Sequence, residues 1–157
     1  MLRTLAVVEI IGGLLGFAFL NSFIWARYGF APTLFNLLSL SFFSLCVVAG
    51  IELWRGERRG WWLSLAAQVP QLLMVSTVAV GYKLQAGPQA LLMVQPSGAR
   101  VWFGFGAESL LGPDTVERQL IALNLAPVVC LVILFLNRRK LRQAPGHDKR
   151  EFPERAA

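Results

Sequence analysis

The sequence is short of the residues that carry chemistry in water. Only 15% of its 157 positions are charged, where an ordinary soluble domain has about 25%. It holds a single histidine, His147, and two cysteines, Cys46 and Cys130. One histidine near the C-terminal end excludes a His-rich transition-metal centre and leaves no Ser-His or Cys-His pair inside a fold. No Cys-x-x-Cys, Walker loop or Gly-x-Ser-x-Gly element is present. The nearest approach to a phosphate loop, Gly104-Phe105-Gly106-Ala107-Glu108-Ser109, lacks the third glycine. Two cysteines make no disulfide framework. Each lies in the middle of an apolar run, where a thiol reads as a small packing residue. These absences predict a chain that is not an enzyme and that holds no cofactor and no metal ion.

What the sequence has in excess is apolar surface, at 55% of its positions. It is gathered into four runs almost free of charge, at about residues 4–26, 34–54, 61–82 and 119–137. About 20 apolar residues cross a bilayer as a helix. The expected fold is therefore an all-α membrane protein: a four-transmembrane-helix bundle over residues 1–137, followed by a basic, disordered tail over 138–157. The first run carries Glu9 and ends in Phe23-Ile24-Trp25-Ala26-Arg27, so it is too long for a secretory signal and lacks the small-residue cleavage pattern. Pro70 in the third run and Pro127 in the fourth are read as kinks within helices.

Charge placement gives the expected orientation. The net charge is +6 and the pI about 10.2. Eleven of the 15 basic residues, including Arg3, Arg55, Arg58, Arg59 and those from Arg138 onward, fall on one side of a four-span arrangement. Arg27, Lys83, Arg100 and Arg118 fall on the other. Basic residues near span ends mark the cytoplasmic side, so both termini are expected in the cytoplasm, with a bacterial inner membrane as the host. The basic excess then reports membrane placement, and nucleic acid is not an expected partner. Trp54, Arg55, Arg58, Arg59, Trp61 and Trp62 are expected as interface anchors, with the rings at headgroup depth and the arginines on anionic lipid phosphates.

The outer connection, about residues 83–118, contains two β-prone stretches, Leu91–Gln95 and Arg100–Phe105, around Pro96-Ser97-Gly98-Ala99. This pattern predicts a small β-hairpin. Val101, Phe103 and Phe105 share one face, with Trp102 on the other. A lone hairpin is marginal in water, so it is expected to lie on the outer helix ends, dip into the membrane interface or pair with another chain, and these four residues are the candidate surface for a partner chain. Ala107 to Pro113 is expected to form a short turn of helix, with Asp114 or Thr115 capping the fourth span.

Glu9 is the one carboxylate well inside a run, where ionisation is costly without a partner or a wet cavity. Gly12, Gly13 and Gly16 continue its helical face, and Gly12-x-x-x-Gly16 suits close helix approach. By depth, Gln68, Gln71 and the arginines Arg58 and Arg59 are the candidates to satisfy it. The set Glu9, Gly12, Gly13, Gly16, Gln68 and Gln71 reads as a packing contact or as an ion or proton site.

The functional expectation is an accessory, assembly or interaction subunit of a larger membrane complex or homo-oligomer. Its expected partners are membrane lipids, anionic headgroups included, and other membrane subunits or itself. The alternative is a small oligomeric transporter or channel for a proton, ion or small solute, with Glu9 as the titrating group.

Overall fold

The computed structural model describes residues 1–24, 30–77, 81–112 and 120–138. In chain order the elements are α1 (Leu2–Ile24), α2 (Phe30–Trp54), α3 (Arg58–Gln68), a 3-10 turn (Val69–Gln71), β1 (Leu73–Ser76), β2 (Gly81–Gln95), β3 (Gly98–Gly112), β4 (Leu120–Asn124) and α4 (Leu125–Leu136). This overturns the all-α four-helix membrane bundle. Among the described residues four helices accompany a four-stranded antiparallel sheet. Among the described residues only α1 and α2 are long and apolar enough to cross a membrane.

The third and fourth apolar runs fail as single helices for identifiable reasons. Proline has no N–H and its ring clashes with the carbonyl four residues back. At Pro70 that carbonyl belongs to Ala66, so α3 stops at Gln68, tightens into the 3-10 turn and gives way to extended chain at Leu73. Pro70 ends the helix instead of kinking it. The fourth run divides at Asn124, whose side-chain oxygen accepts from the Ala126 N–H at 3.2 Å and so caps α4. Pro127 then falls in the first helical turn, where a missing N–H removes no intrahelical bond. Residues 120–124, expected as helix, form β4. The caps expected at Asp114 and Thr115, and the tail beyond Arg138, lie outside the described residues.

The hairpin turn falls at Pro96-Ser97, with Gln95 opposite Gly98. Pairing then continues unbroken to Gly81 opposite Gly112. The hairpin is therefore not a small appendage, and Ala107–Gly112 is strand where a helical turn was expected. The sheet order is β1-β4-β2-β3, with β1 also touching β2. β2 meets β1 at Gly81 and Tyr82 and meets β4 at Leu91–Val94, while β1 and β4 pair with each other from Leu73↔Leu123 to Ser76↔Leu120. A straight strand from Tyr82 to Leu92 would run about 33 Å, too far for both contacts. β2 must bend between them. Gly87 lies there at φ +102°, a conformation open to glycine at no steric penalty.

Two apolar clusters hold the elements together. Leu5 and Ala6 of α1 pack with Leu53, Trp61, Cys130 and Leu134, drawing α2, α3 and α4 to the N-terminal end of α1. Leu20 packs with Phe42, Phe43, Cys46, Ala67, Ala86 and Ala107, joining α1, α2 and α3 to the hairpin. Glycine permits both approaches to α1. A Cβ on Gly13 would stand 2.6 Å from Val47, and Gly16 lies beneath the Phe43 ring. A Cβ on Gly12 would stand 2.7 Å from the backbone of Ala86 and Gly87. The glycine face is thus divided between a helix and a strand.

Candidate functional site

Glu9 is 2% exposed, at the junction of α1 and α3. One carboxylate oxygen accepts from the Ser64 hydroxyl at 2.7 Å and the other from the Gln68 amide at 2.9 Å. Ser64 and Gln68 are four residues apart on α3, so they stand one above the other on a single face. Of the sequence candidates, Gln68 reaches Glu9. Ser64 was missed, although its i,i+4 spacing from Gln68 was legible. Arg58 and Arg59 are exposed at the start of α3.

Gln71 does something different. Its amide nitrogen donates to the Ala67 carbonyl at 2.9 Å, and its oxygen accepts from the backbone N–H of Ala86 at 2.8 Å. The N–H of Ala90 similarly donates to the Asn124 side-chain oxygen at 3.0 Å. These two N–H groups point out of the same edge of β2, away from β3, because strand groups alternate. Between them sits Pro88, which has no N–H to satisfy. In the gap between its pairing with β1 and with β4, the outward donors of Ala86 and Ala90 are thus satisfied by Gln71 and Asn124, and Pro88 offers none. A buried strand edge with unpaired donors would be costly.

Further polar groups are buried on the same strand. Gln85 and Gln89 are nearly inaccessible, and neither amide atom of Gln85 has a hydrogen-bond partner among the described residues. Cys46 and Cys130 are free and buried. Among the described residues no group of three or more His, Cys, Asp or Glu side chains could hold a metal ion. The arrangement around Glu9 can hold a carboxylate rigidly between two helices and supply it with two donors.

The basic end of the molecule is also assembled by the fold. The Arg3 guanidinium lies 5.6 Å from the centre of the Trp54 ring, and that of Arg138 lies 5.2 Å from the Trp61 ring, both within cation–π reach. The expected anchors divide. Trp54 and Trp62 are about half exposed, beside exposed Arg55, Arg58 and Arg59. Trp61 is buried, donates its indole N–H to the Leu134 carbonyl at 3.0 Å and meets Trp62 and Phe135 edge-on. It is a core residue of the α3–α4 contact.

At the far side of the sheet, Val101, Trp102, Phe103 and Phe105 are all exposed on β3, Phe103 at 74%. The Trp102 ring folds over Gly104 of its own strand. Lys83 of β2 forms an ion pair with Glu108 of β3. Comparison with protein-family models, curated proteins and solved structures finds no match to the chain.

Proposed function

We propose that the protein is a small membrane-anchored interaction subunit, held in the bilayer by α1 and α2, which acts by packing against another membrane protein or a second copy and not by catalysis. The observation that carries this reading is the open edge of β3 beside a helix long enough to cross a membrane. Gly12, midway along α1, touches Ala86 and Gly87, and those residues pair with Ala107 and Gly106 of β3. Beyond β3 no further strand lies among the described residues. An unpaired sheet edge at bilayer depth is not tolerated against lipid, because its backbone groups have no partner there. Protein has to cover it.

The outward surfaces of the two helices support the anchoring. Ile11, Leu14 and Leu15 of α1 and Leu37, Leu38 and Val48 of α2 are exposed, while Gly13, Gly16 and Gly50 admit Val47, Phe43 and Ile10 to the contact between the helices. Arg3, Arg55, Arg58, Arg59 and Arg138 flank the end where α1 begins and α2 ends, which favours a cytoplasmic placement of that end in a bacterial inner membrane, with contacts to anionic headgroups. Alkaline carbonate extraction should leave the protein in the membrane fraction. Purification in mild detergent, followed by light scattering and mass spectrometry, should return a homo-oligomer or a stoichiometric complex. A monodisperse monomer without a partner would overturn the interaction reading.

Burial of Glu9 also favours a second reading, an oligomeric transporter or channel in which this carboxylate titrates. It requires that Glu9→Gln abolish a flux in proteoliposomes, and a flux indifferent to that change removes the role. The packing reading is preferred because both carboxylate oxygens already accept from Ser64 and Gln68.

A further inference from the structure

We infer that the outer edge of β3 docks a second copy of this chain, the two strands pairing antiparallel about Gly104, so that Arg100 of each copy faces Glu108 of the other. The inference rests on the interaction reading above and names the partner. On β2 the even-numbered Ala86 and Ala90 turn their N–H groups away from β3, so its odd-numbered residues bond to β3. In the observed register Gln85 lies opposite Glu108 and Gln89 opposite Gly104. The even-numbered residues of β3 therefore face β2, and the odd-numbered ones turn their N–H and C=O groups to the other side; of these Val101, Phe103 and Phe105 are exposed, while Ala107 is buried.

A two-fold antiparallel pair formed from that edge must match odd with odd and even with even, so its axis passes through one residue. With the axis at Gly104, Phe103 faces Phe105 of the second copy as a hydrogen-bonded pair, twice over, and Val101 falls opposite the buried Ala107, where the pairing ends. Trp102 faces Gly106, an aromatic ring beside a glycine. Arg100 faces Glu108 in a non-hydrogen-bonded pair, the kind in which side chains approach most closely. Moving the axis by one residue places Arg100 opposite Gly106 or Leu110, and the charge match is lost.

The side chains are free to comply. Arg100 is exposed and forms no salt bridge among the described residues. Glu108 is paired with Lys83 yet its side chain remains 43% exposed, so its carboxylate can accept from a second cation. Pairing also covers Phe103 and Phe105. Lipid is the competing occupant of this surface, but it cannot satisfy the backbone donors and acceptors of the edge.

The test uses the full-length chain with Cys46→Ala and Cys130→Ala in two differently tagged versions, one bearing Arg100→Cys and the other Glu108→Cys. The two are co-expressed and oxidised in the membrane. Paired residues about 4.5 Å apart between Cα atoms suit a disulfide, whereas two copies of residue 100 would lie about 27 Å apart along the strands. The expected product is a covalent dimer carrying both tags, in large excess over either single-tag dimer. Single-tag dimers in equal amount, or no covalent dimer, overturn the pairing. A second measurement needs no cysteine. Arg100→Glu or Glu108→Arg alone should weaken the dimer by roughly tenfold, and the two together should restore it. Loss without restoration overturns the register. A native preparation that holds a different protein in fixed ratio and gives no cross-link rejects self-pairing while sparing the interaction reading, and a partnerless monomer rejects both.

Discussion

The side-chain oxygen of Gln71 accepts a hydrogen bond from the backbone N–H of Ala86 at 2.8 Å, occupying the place that a neighbouring strand would hold. One side chain from the turn after α3 thereby satisfies a buried outward donor of β2. Replacing Gln71 with Leu leaves that N–H without an acceptor, at a cost of about 1–3 kcal/mol. Gln71→Glu keeps an acceptor oxygen for Ala86 but loses the donor to the Ala67 carbonyl and buries a carboxyl group, so it should cost at least as much. Thermal unfolding in detergent measures both, and a Gln71→Leu protein as stable as the parent would show that the donor is not satisfied this way.

Asn124 holds two N–H groups with one oxygen, that of Ala90 on β2 and that of Ala126 at the start of α4. Asn124→Ala should therefore destabilise by more than the approximately 1 kcal/mol typical of a lost helix cap, because a strand donor is orphaned as well. Asn124→Asp keeps the acceptor and should retain most of the stability. Chemical denaturation of the three proteins side by side separates these outcomes.

At Glu9 the donors Ser64 and Gln68 are both buried. Glu9→Ala strands both and should cost about 2–6 kcal/mol, taking about 1–3 for each, whereas Glu9→Gln keeps one acceptor and should cost markedly less. If the two substitutions are equally damaging in unfolding experiments, the carboxylate is not held by these two donors.

Between α1 and α2 there is no room for a side chain at Gly13, since its Cβ would meet Val47 at 2.6 Å and the Phe43 carbonyl at 2.8 Å. Gly13→Ala should lower stability by about 1–3 kcal/mol, the range for overpacked sites, although alanine is the better helix former. A stabilised Gly13→Ala protein would mean that the two helices do not approach this closely.

Trp61 and Trp62 are adjacent in sequence but opposite in environment, 5% and 52% exposed. Trp61→Ala removes a buried ring and an indole hydrogen bond and should cost about 3–5 kcal/mol, while Trp62→Ala should cost well under half of that. Single-tryptophan variants reconstituted with brominated lipid should show stronger quenching of Trp62 than of Trp61. Equal quenching would place both rings in lipid.

How much of this was legible beforehand depends on the kind of signal. Pro70 and Pro127 were visible breakers, yet a proline kinks, ends or begins a helix according to what surrounds it. At Pro70 the chain beyond found β4 and β2 to pair with. At Pro127 an asparagine three residues earlier could cap a new helix. The third and fourth apolar runs carried no periodicity able to separate helix from strand, because nearly every position is apolar and both patterns are matched. The turn at Pro96-Ser97 was readable from local chemistry. The length of the hairpin was not, since Gly81 and Gly112 are brought together only by the register propagated from that turn. Gln68 could be matched to Glu9 by depth along a helix, but the claim of Ala86 on Gln71 could not, because it required knowing that β2 lies against α3.

The sequence by itself determined that this chain is apolar, basic at defined places and poor in catalytic groups, because composition and charge position do not depend on how the chain folds. It also determined α1 and α2, whose long uninterrupted apolar runs satisfy every backbone group within the segment. Tertiary structure decided the rest. Leu73–Ser76 and Leu120–Asn124 are strands only because they have each other and β2 to bond to, and a strand, unlike a helix, cannot satisfy its backbone alone. For the same reason the outer edge of β3, beyond which no further strand lies among the described residues, keeps backbone groups that β2 does not bond.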